Sequence, residues 1–264
     1  MLAVFDWHIF WQRIFHPDRV FLDALATTVS IAVIAQLLGI VLGLVAALMR
    51  MSRLRPVRLL SGIYVWFFRG TPVLVQIFLV YYGVNILFGV TIIPNSLNLG
   101  FYVVDGTVFG GILALGINEG AYMREIVRAG IDSIDKGQLE AARSLGMRHA
   151  LAMRRIVLPQ AARVIVPPLG NEFNNMIKTT SLLSIIGVTE MFQNAEIHYS
   201  NNFKPSEEFI AVSFWYLVLT TIWTLIQASI ERKLAASERG DELSFWERLQ
   251  QSWTRMPAWN TGAR

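Results

Sequence analysis

The sequence contains no cysteine, which excludes a disulfide framework, a thiolate metal site and a catalytic thiol. Charge is scarce too: 16% of the 264 residues are Asp, Glu, Lys or Arg, against 54% hydrophobic, and the mean hydropathy is positive. A water-soluble domain of this length does not need so much apolar side chain to fill its core, so the excess is expected to face lipid. Histidine is limited to His8, His16, His149 and His198, scattered without metal-ligand spacing. There is no phosphate-cradling glycine loop followed by Lys, and no nucleophile-and-base constellation. The chain alone is therefore expected to catalyse nothing, to hold no metal and to bring no nucleotide site of its own. The N-terminus lacks a basic leader, an apolar core and a small-residue cleavage site, so no removable signal peptide is expected.

What is present is a set of long apolar runs. Leu25 to Met49 passes without one ionisable residue, and at about 1.5 Å per residue it exceeds the roughly 30 Å hydrocarbon layer of a bilayer. The pattern predicts an all-α integral membrane protein with five spans, near Leu25–Met49, Leu60–Leu87, Val108–Ala129, Ile156–Met176 and Phe209–Ile230. Arg69, Gly70, Thr71 and Pro72 interrupt the second span, and Pro167 and Pro168 the fourth, so both are expected to bend or break. Basic residues crowd the connections after the first span (Arg50, Arg53, Arg55, Arg58), after the third (Lys136, Arg143, Arg148, Arg154, Arg155) and after the last (Arg232, Lys233). Counting them predicts an N-terminus outside and a C-terminus in the cytoplasm, which an odd number of spans satisfies. The net charge of +4 then reads as attraction to anionic lipid headgroups, with no nucleic-acid partner.

Residues 1–22 are read as an outer interfacial segment, since Trp7, Phe10, Trp11, Ile14 and Phe15 share one helical face; an irregular lead-in is the alternative. Residues 23–233 form the spanning domain. Residues 234–264 form a cytoplasmic tail in which Phe245, Trp246, Leu249 and Trp253 recur at near-helical spacing, fit to rest on the membrane or on a partner.

The connection between the third and fourth spans, about 131–156, carries more pattern than a plain linker. Asp135 and Gln138 have the spacing of a capping box, which predicts the start of a short helix. That helix would present Leu139, Ala142 and Leu145 on one side and Glu140, Arg143 and Ser144 on another, with Gly146 supplying the left-handed residue that ends it. A second short helix from about Arg148 would lead back into lipid. On these grounds alone the segment could be a solvated amphipathic connector.

The residues EAARSLG, Glu140 to Gly146, followed after nine residues by IVLP, Ile156 to Pro159, resemble the EAA loop of the permease subunits of bacterial ABC importers. FFRGTPVLVQIFLVYYG (Phe67–Gly83), AYMREIVRAGIDSIDKGQLEAA (Ala121–Ala142) and LGNEFNNMIKTTSLLSIIG (Leu169–Gly187) are similar to the subgroup importing histidine, arginine, glutamine and glutamate. The resemblance covers roughly Thr27 to Lys233; Asn118, Glu119 and Gly120 depart from it, where smaller neutral residues are expected. It implies a bacterial inner-membrane protein in which Gly137, Glu140, Ala141, Ala142, Arg143 and Gly146 dock onto an ATPase. It also implies the partners: a second permease, identical or related, two ATP-binding cassette subunits carrying Mg-ATP, and an extracytoplasmic amino-acid-binding protein.

Ionisable groups within a span are costly unless they face one another or a polar path, so each is a functional candidate. Arg69 and Glu119 lie near mid-membrane and supply both signs needed to meet an amino acid's carboxylate and ammonium. Gly70 and Thr71 adjoin the expected break, Gln76 lies two helical turns from Arg69 and so is expected on its side, and Asn171 and Glu172 fall in the outer half of the fourth span. An Arg69–Glu119 ion pair that merely orients helices is the alternative. Lys178, Thr179 and Ser181 end that span as a gate or a cap, with Ser181 placed to cap a short helix through Ile186. An ion- or proton-coupled carrier, using Glu119 and Glu172 as proton sites, is the rival from another class.

Overall fold

The computed structural model describes residues 5–234 in full, apart from 91, 92, 99, 101 and 102, and the backbone of 235–239. The aromatic face expected at Phe245 to Trp253 lies outside the described residues.

Each early helix starts at a side-chain cap. Asp6 accepts hydrogen bonds from the N–H groups of His8 and Ile9 (3.1 and 3.3 Å) and opens α1, Trp7–Phe15. Asp18 accepts from the Phe21 N–H (2.7 Å) and opens α2, Arg19–Met51, which therefore begins inside the segment read as interfacial. At 33 residues α2 is about 50 Å long. Pro56 sits in the first turn of α3, Arg55–Gly70.

Pro72 bars the residue before it from helical geometry, and Thr71 is accordingly extended (φ −121°, ψ 150°). The chain restarts as α4, Val73–Phe78, passes through a π-helical turn at Leu79–Gly83, and finishes as α5, Val84–Phe88. The two arms, Arg55–Gly70 and Val73–Phe88, meet at 112°. The expected bend at residues 69–72 is thus a full break.

The all-α expectation needs one correction. Val103–Asp105 (β2) pairs antiparallel with Ser96–Asn98 (β1) in a short hairpin, and the Gly106 N–H donates to the Asn95 carbonyl (2.8 Å), closing its base. β-branched Val103 and Val104 suit such a strand.

Asp105 caps α6, Gly106–Asp132. Next come α7, Lys136–Ser144, and α8, His149–Ala152. A π-helical turn at Met153–Val157 joins α8 to α9, Leu158–Thr179, and a 3₁₀ helix follows at Thr180–Ile186. The fold ends with α10, Met191–Asn202, and α11, Pro205–Arg239.

Of the bend or break expected at Pro167 and Pro168, the break does not occur: α9 stays helical through both. Side chains of α11 meet its carbonyls there: the Trp223 indole N–H donates to Gly170 O (2.7 Å) and the Gln227 amide to Pro167 O (3.2 Å). These bonds tie α9 to α11 at the level of the prolines.

Helix α2 buries its small residues, Ala32, Ala35, Gly39, Gly43, Ala46 and Ala47, and turns Leu37, Val41, Leu44 and Leu48 outward. That is the reverse of a soluble helix and suits a surface wetted by lipid, where close backbone approach rather than burial of large side chains holds helices together. Its partner is α6. A Cβ on Gly43 would collide with Met123 and lie 2.9 Å from the Arg124 nitrogen, and one on Gly120 would sit 2.8 Å from Leu42 Cβ. Ile31, Ala35, Ile77, Leu115, Ile177 and Leu183 form the common core of α2, α4, α6, α9 and the 3₁₀ turn.

Two helices, Arg19–Met51 and Pro205–Leu234, are each long and apolar enough to cross a membrane, and the broken pair qualifies if counted as one span. α6 and α9 are long enough but carry the charges that sequence reading singled out, including Glu119, Glu172 and Lys178. At one end of the bundle Arg13 ties α1 down. It donates to Glu208 (3.1 Å), Asp18 (3.2 Å) and His198 Nδ1 (2.8 Å), while the Asp6 N–H donates to Glu207 (2.7 Å).

Candidate functional site

The break at Gly70–Pro72 is held open by one buried side chain. The Gln76 amide donates to Phe68 O (2.8 Å), Thr71 O (3.0 Å) and Thr71 Oγ1 (2.8 Å), the carbonyls and hydroxyl that the interrupted helix leaves over. Its own oxygen accepts from Asn118 Nδ2 (2.7 Å), which pins the break to α6. Gln76 thus spends its amide on the break and on Asn118, whereas Arg69 meets Tyr122. The 112° break cancels the two-turn register on which the expectation of a shared side rested.

Beside this knot lies a cavity of about 390 Å³. Thr71, Pro72 and Val73 line it from the break, Leu115, Asn118, Glu119 and Tyr122 from α6, and Glu172, Asn175, Met176 and Thr179 from α9. Glu119 is 5% exposed and takes its hydrogen bond from a neutral amide, Gln36 Nε2 (3.0 Å). Glu172 is half-buried on the opposing helix. Two carboxylates, two amides, a phenol and threonine hydroxyls thus converge where three interrupted or charge-bearing elements meet. Such a set is rich in acceptors and suits a ligand that brings N–H donors and positive charge. Its volume lies in the range of small-molecule sites.

Arg69 is exposed and does not pair with Glu119. Its guanidinium stacks over the Tyr122 ring, 5.4 Å from the centroid, with Tyr122 between it and the cavity. The purely orienting ion pair is therefore not how these two charges are used. Gly70 sits at the end of α3 with open space around it. Asn171 points away from the cavity and accepts from Gln227 Nε2 (3.3 Å). Of the seven expected pathway residues, the structure brings Thr71, Glu119 and Glu172 together around the cavity, with Arg69 behind Tyr122 and Gln76 behind the break. Tyr122 is an addition that apolar periodicity does not disclose. Asn175 stands near Glu172 in the sequence, and Asn118 was marked only as a departure from the family resemblance.

Ser181 is not a helix cap. It lies inside the 3₁₀ turn, whose N-cap position is Thr179 with no side-chain cap bond, and its hydroxyl donates back to Lys178 O (2.7 Å). Thr179 Oγ1 donates to Asn175 O (2.9 Å) and lies on the cavity wall; Lys178 is exposed.

The 131–156 connection forms two short helices at the opposite end of α6 from the hairpin. Asp135 caps α7 through the Gly137 N–H (2.6 Å), one residue earlier than a capping box with Gln138 would place it. Ala142 is buried, while Gly137, Glu140, Ala141, Arg143 and Ser144 are exposed. Leu145 is 83% exposed, not on the inner side with Ala142. Gly146 has φ +78°, and Met147 N–H closes back on Ala142 O (3.0 Å), the six-residue closure of a helix C-cap.

Comparison with known proteins gives a consistent set of relatives. The family described as "binding-protein-dependent transport system inner membrane component" matches residues 39–236. The arginine transport system permease protein ArgU of Corynebacterium glutamicum is 38% identical over 236 residues, covering 86% of this chain and 72% of that protein. The L-cystine transport system permease protein TcyB of Bacillus subtilis is 39% identical over 208 residues, covering 78% and 83%. A crystal structure of an amino acid ABC transporter with histidines superposes with a TM-score of 0.72 at 39% identity, covering 81% of this chain and 94% of that one.

Proposed function

The chain belongs to the binding-protein-dependent transport system inner membrane component family, and from that premise we propose that it is the permease subunit of an ATP-driven importer of polar amino acids. The names of its relatives support amino acids as the substrate class, and the family disfavours an ion- or proton-coupled carrier. In this reading the bilayer is crossed five times, by α2, the broken pair α3–α5, α6, α9 and α11. The N-terminus lies outside and the C-terminal tail inside, as the clustering of basic residues supports. Residues 1–22 lie at the outer surface, 23–233 form the permease domain, and 234–264 form the tail.

The α7–α8 knob is the docking element for an ATPase. Its exposed Gly137, Glu140, Ala141 and Arg143 offer the contact surface, and its rigid join through the π-turn into α9 gives push or pull on the knob a lever into the cavity wall. Two such ATPases bearing Mg-ATP, a second permease and an extracytoplasmic binding protein complete the assembly.

The observation that carries the reading is the cavity between the broken helix, α6 and α9. Glu119 and Glu172 receive the cationic end of the amino acid, Thr71, Asn118 and Asn175 its remaining polar atoms, and Arg69 with Lys178 and Thr179 stand at the approach. The test is uptake of a panel of labelled amino acids into vesicles holding the complete transporter. Glu119→Gln keeps the hydrogen bond from Gln36 and removes the charge, and Glu172→Gln does the same for its site. Losing one charged hydrogen bond, about 1.5–3 kcal/mol, should raise the KM for uptake about 10- to 100-fold. Unchanged KM in both variants across the whole panel would contradict the site.

A further inference from the structure

A second cavity, of about 340 Å³, lies outside the polar site. Leu42, Val45 and Met49 of α2, Leu60 and Tyr64 of α3 and Ile117 of α6 line it. The polar atoms of this wall are turned away from it. Tyr64 donates its hydroxyl to Ile117 O (2.5 Å), and Ser61, also on the wall, donates to Ala46 O (2.7 Å). The groove thus presents hydrocarbon only, and a site with no free polar partner does not hold water. Its α2 side runs from Leu42 to Met49, about 10 Å, a third of the hydrocarbon layer.

At Met49 the groove opens beneath the turn between α2 and α3, and that turn is a cationic loop. Arg58 folds its guanidinium onto the carbonyls of Ser52 and Arg53 (3.1 and 3.2 Å) and braces it. Arg50, Arg53 and Arg55 stay exposed, and among the described residues none of the three is ion-paired. No acidic residue occurs anywhere between Asp23 and Asp105. An apolar slot long enough for the upper part of an acyl chain, on the two helices whose junction carries three exposed arginines, matches one occupant in chemistry.

We propose that the α2–α3 groove is a binding site for an anionic phospholipid. One acyl chain lies along Leu42, Val45 and Met49, and the phosphate sits on Arg50, Arg53 and Arg55. The lipid would lie against both α2 and α3, and so brace the arm of the broken helix that leads to the cavity. The site does not depend on the amino-acid reading.

The complete transporter, extracted in mild detergent from membranes containing phosphatidylglycerol and phosphatidylethanolamine, can be examined by native mass spectrometry for retained lipid. The expected result is one phosphatidylglycerol retained per copy of this chain. Replacing Arg50, Arg53 and Arg55 together by Gln should weaken its retention about a hundredfold, at about fivefold per lost charge near a headgroup. Val45→Trp, a substitution at a position exposed to the groove, should expel it without touching the arginines. Retention unchanged in both variants would overturn the proposal. So would equal retention of phosphatidylethanolamine, or a disulfide between Val45→Cys of one copy and Leu60→Cys of another, which would assign the groove to a second permease.

Discussion

A single amide, Gln76, does the work that a helix would otherwise do for itself at residues 68–71. Three of its hydrogen bonds satisfy groups freed by the break, and a fourth ties it to Asn118. Gln76→Leu would leave those groups buried without donors, at a cost of about 1–3 kcal/mol. The expected result is a lower unfolding temperature in detergent together with slower uptake, whereas Gln76→Glu, which keeps an acceptor for Asn118 but loses the donors, should fall between. A variant as stable as the native chain would show that the break is held by the backbone alone. At this scale the sequence disclosed identity better than role. Arg69, Thr71, Glu119 and Glu172 stand out as polar residues in apolar runs, and three of them line the cavity or its break. Whether Gln76 faces the path or folds back depends on the angle of the break, which local spacing cannot supply, and Tyr122 looks from its neighbours like any interfacial aromatic.

Among the elements, α2 and α6 depend on each other most. Their glycines, Gly39 and Gly43 on one and Gly116 and Gly120 on the other, recur every four residues and let the two backbones approach. Gly43→Val would push α2 from α6 at Met123 and Arg124, with an overpacking cost of about 1–3 kcal/mol. It should lower thermal stability, and because Gln36 on α2 holds Glu119 on α6, it should also weaken uptake. Gly62→Val, at a position with nothing within reach of a Cβ, is the matched control and should be near neutral for packing. The long apolar helices were legible from run length, and the ends of α7 from Asp135 and Gly146, whereas the start of α2 at Asp18, inside the segment read as interfacial, was not. The persistence of α9 through Pro167 and Pro168 was not either, because local sequence gives only proline's tendency to bend or break a helix. The short β-hairpin was likewise hidden in a stretch too brief for alternation to register.

For the whole molecule, the polar cavity sits along α6 and α9, and the knob formed by α7 and α8 lies between those two helices in the chain. α8 continues into α9 without a loop, so a displacement of the knob is carried by rigid helix to Glu172, while α6 carries the other wall with Glu119. Under the proposed function, the knob's integrity is the condition for coupling an ATPase to the cavity. Gly146 is its most economical test, because nothing lies within 4 Å of a Cβ there and only its left-handed φ of +78° opposes a side chain. Asn tolerates this conformation and Val does not.

The decisive measurement is ATP hydrolysis by the complete transporter in vesicles, with the amino acid and its binding protein added on the outer side. The native chain should show hydrolysis stimulated by amino acid, Gly146→Val should keep basal hydrolysis and lose the stimulation, and Gly146→Asn should retain most of it. Full stimulation in Gly146→Val, or amino-acid uptake that continues without ATP, would contradict the account.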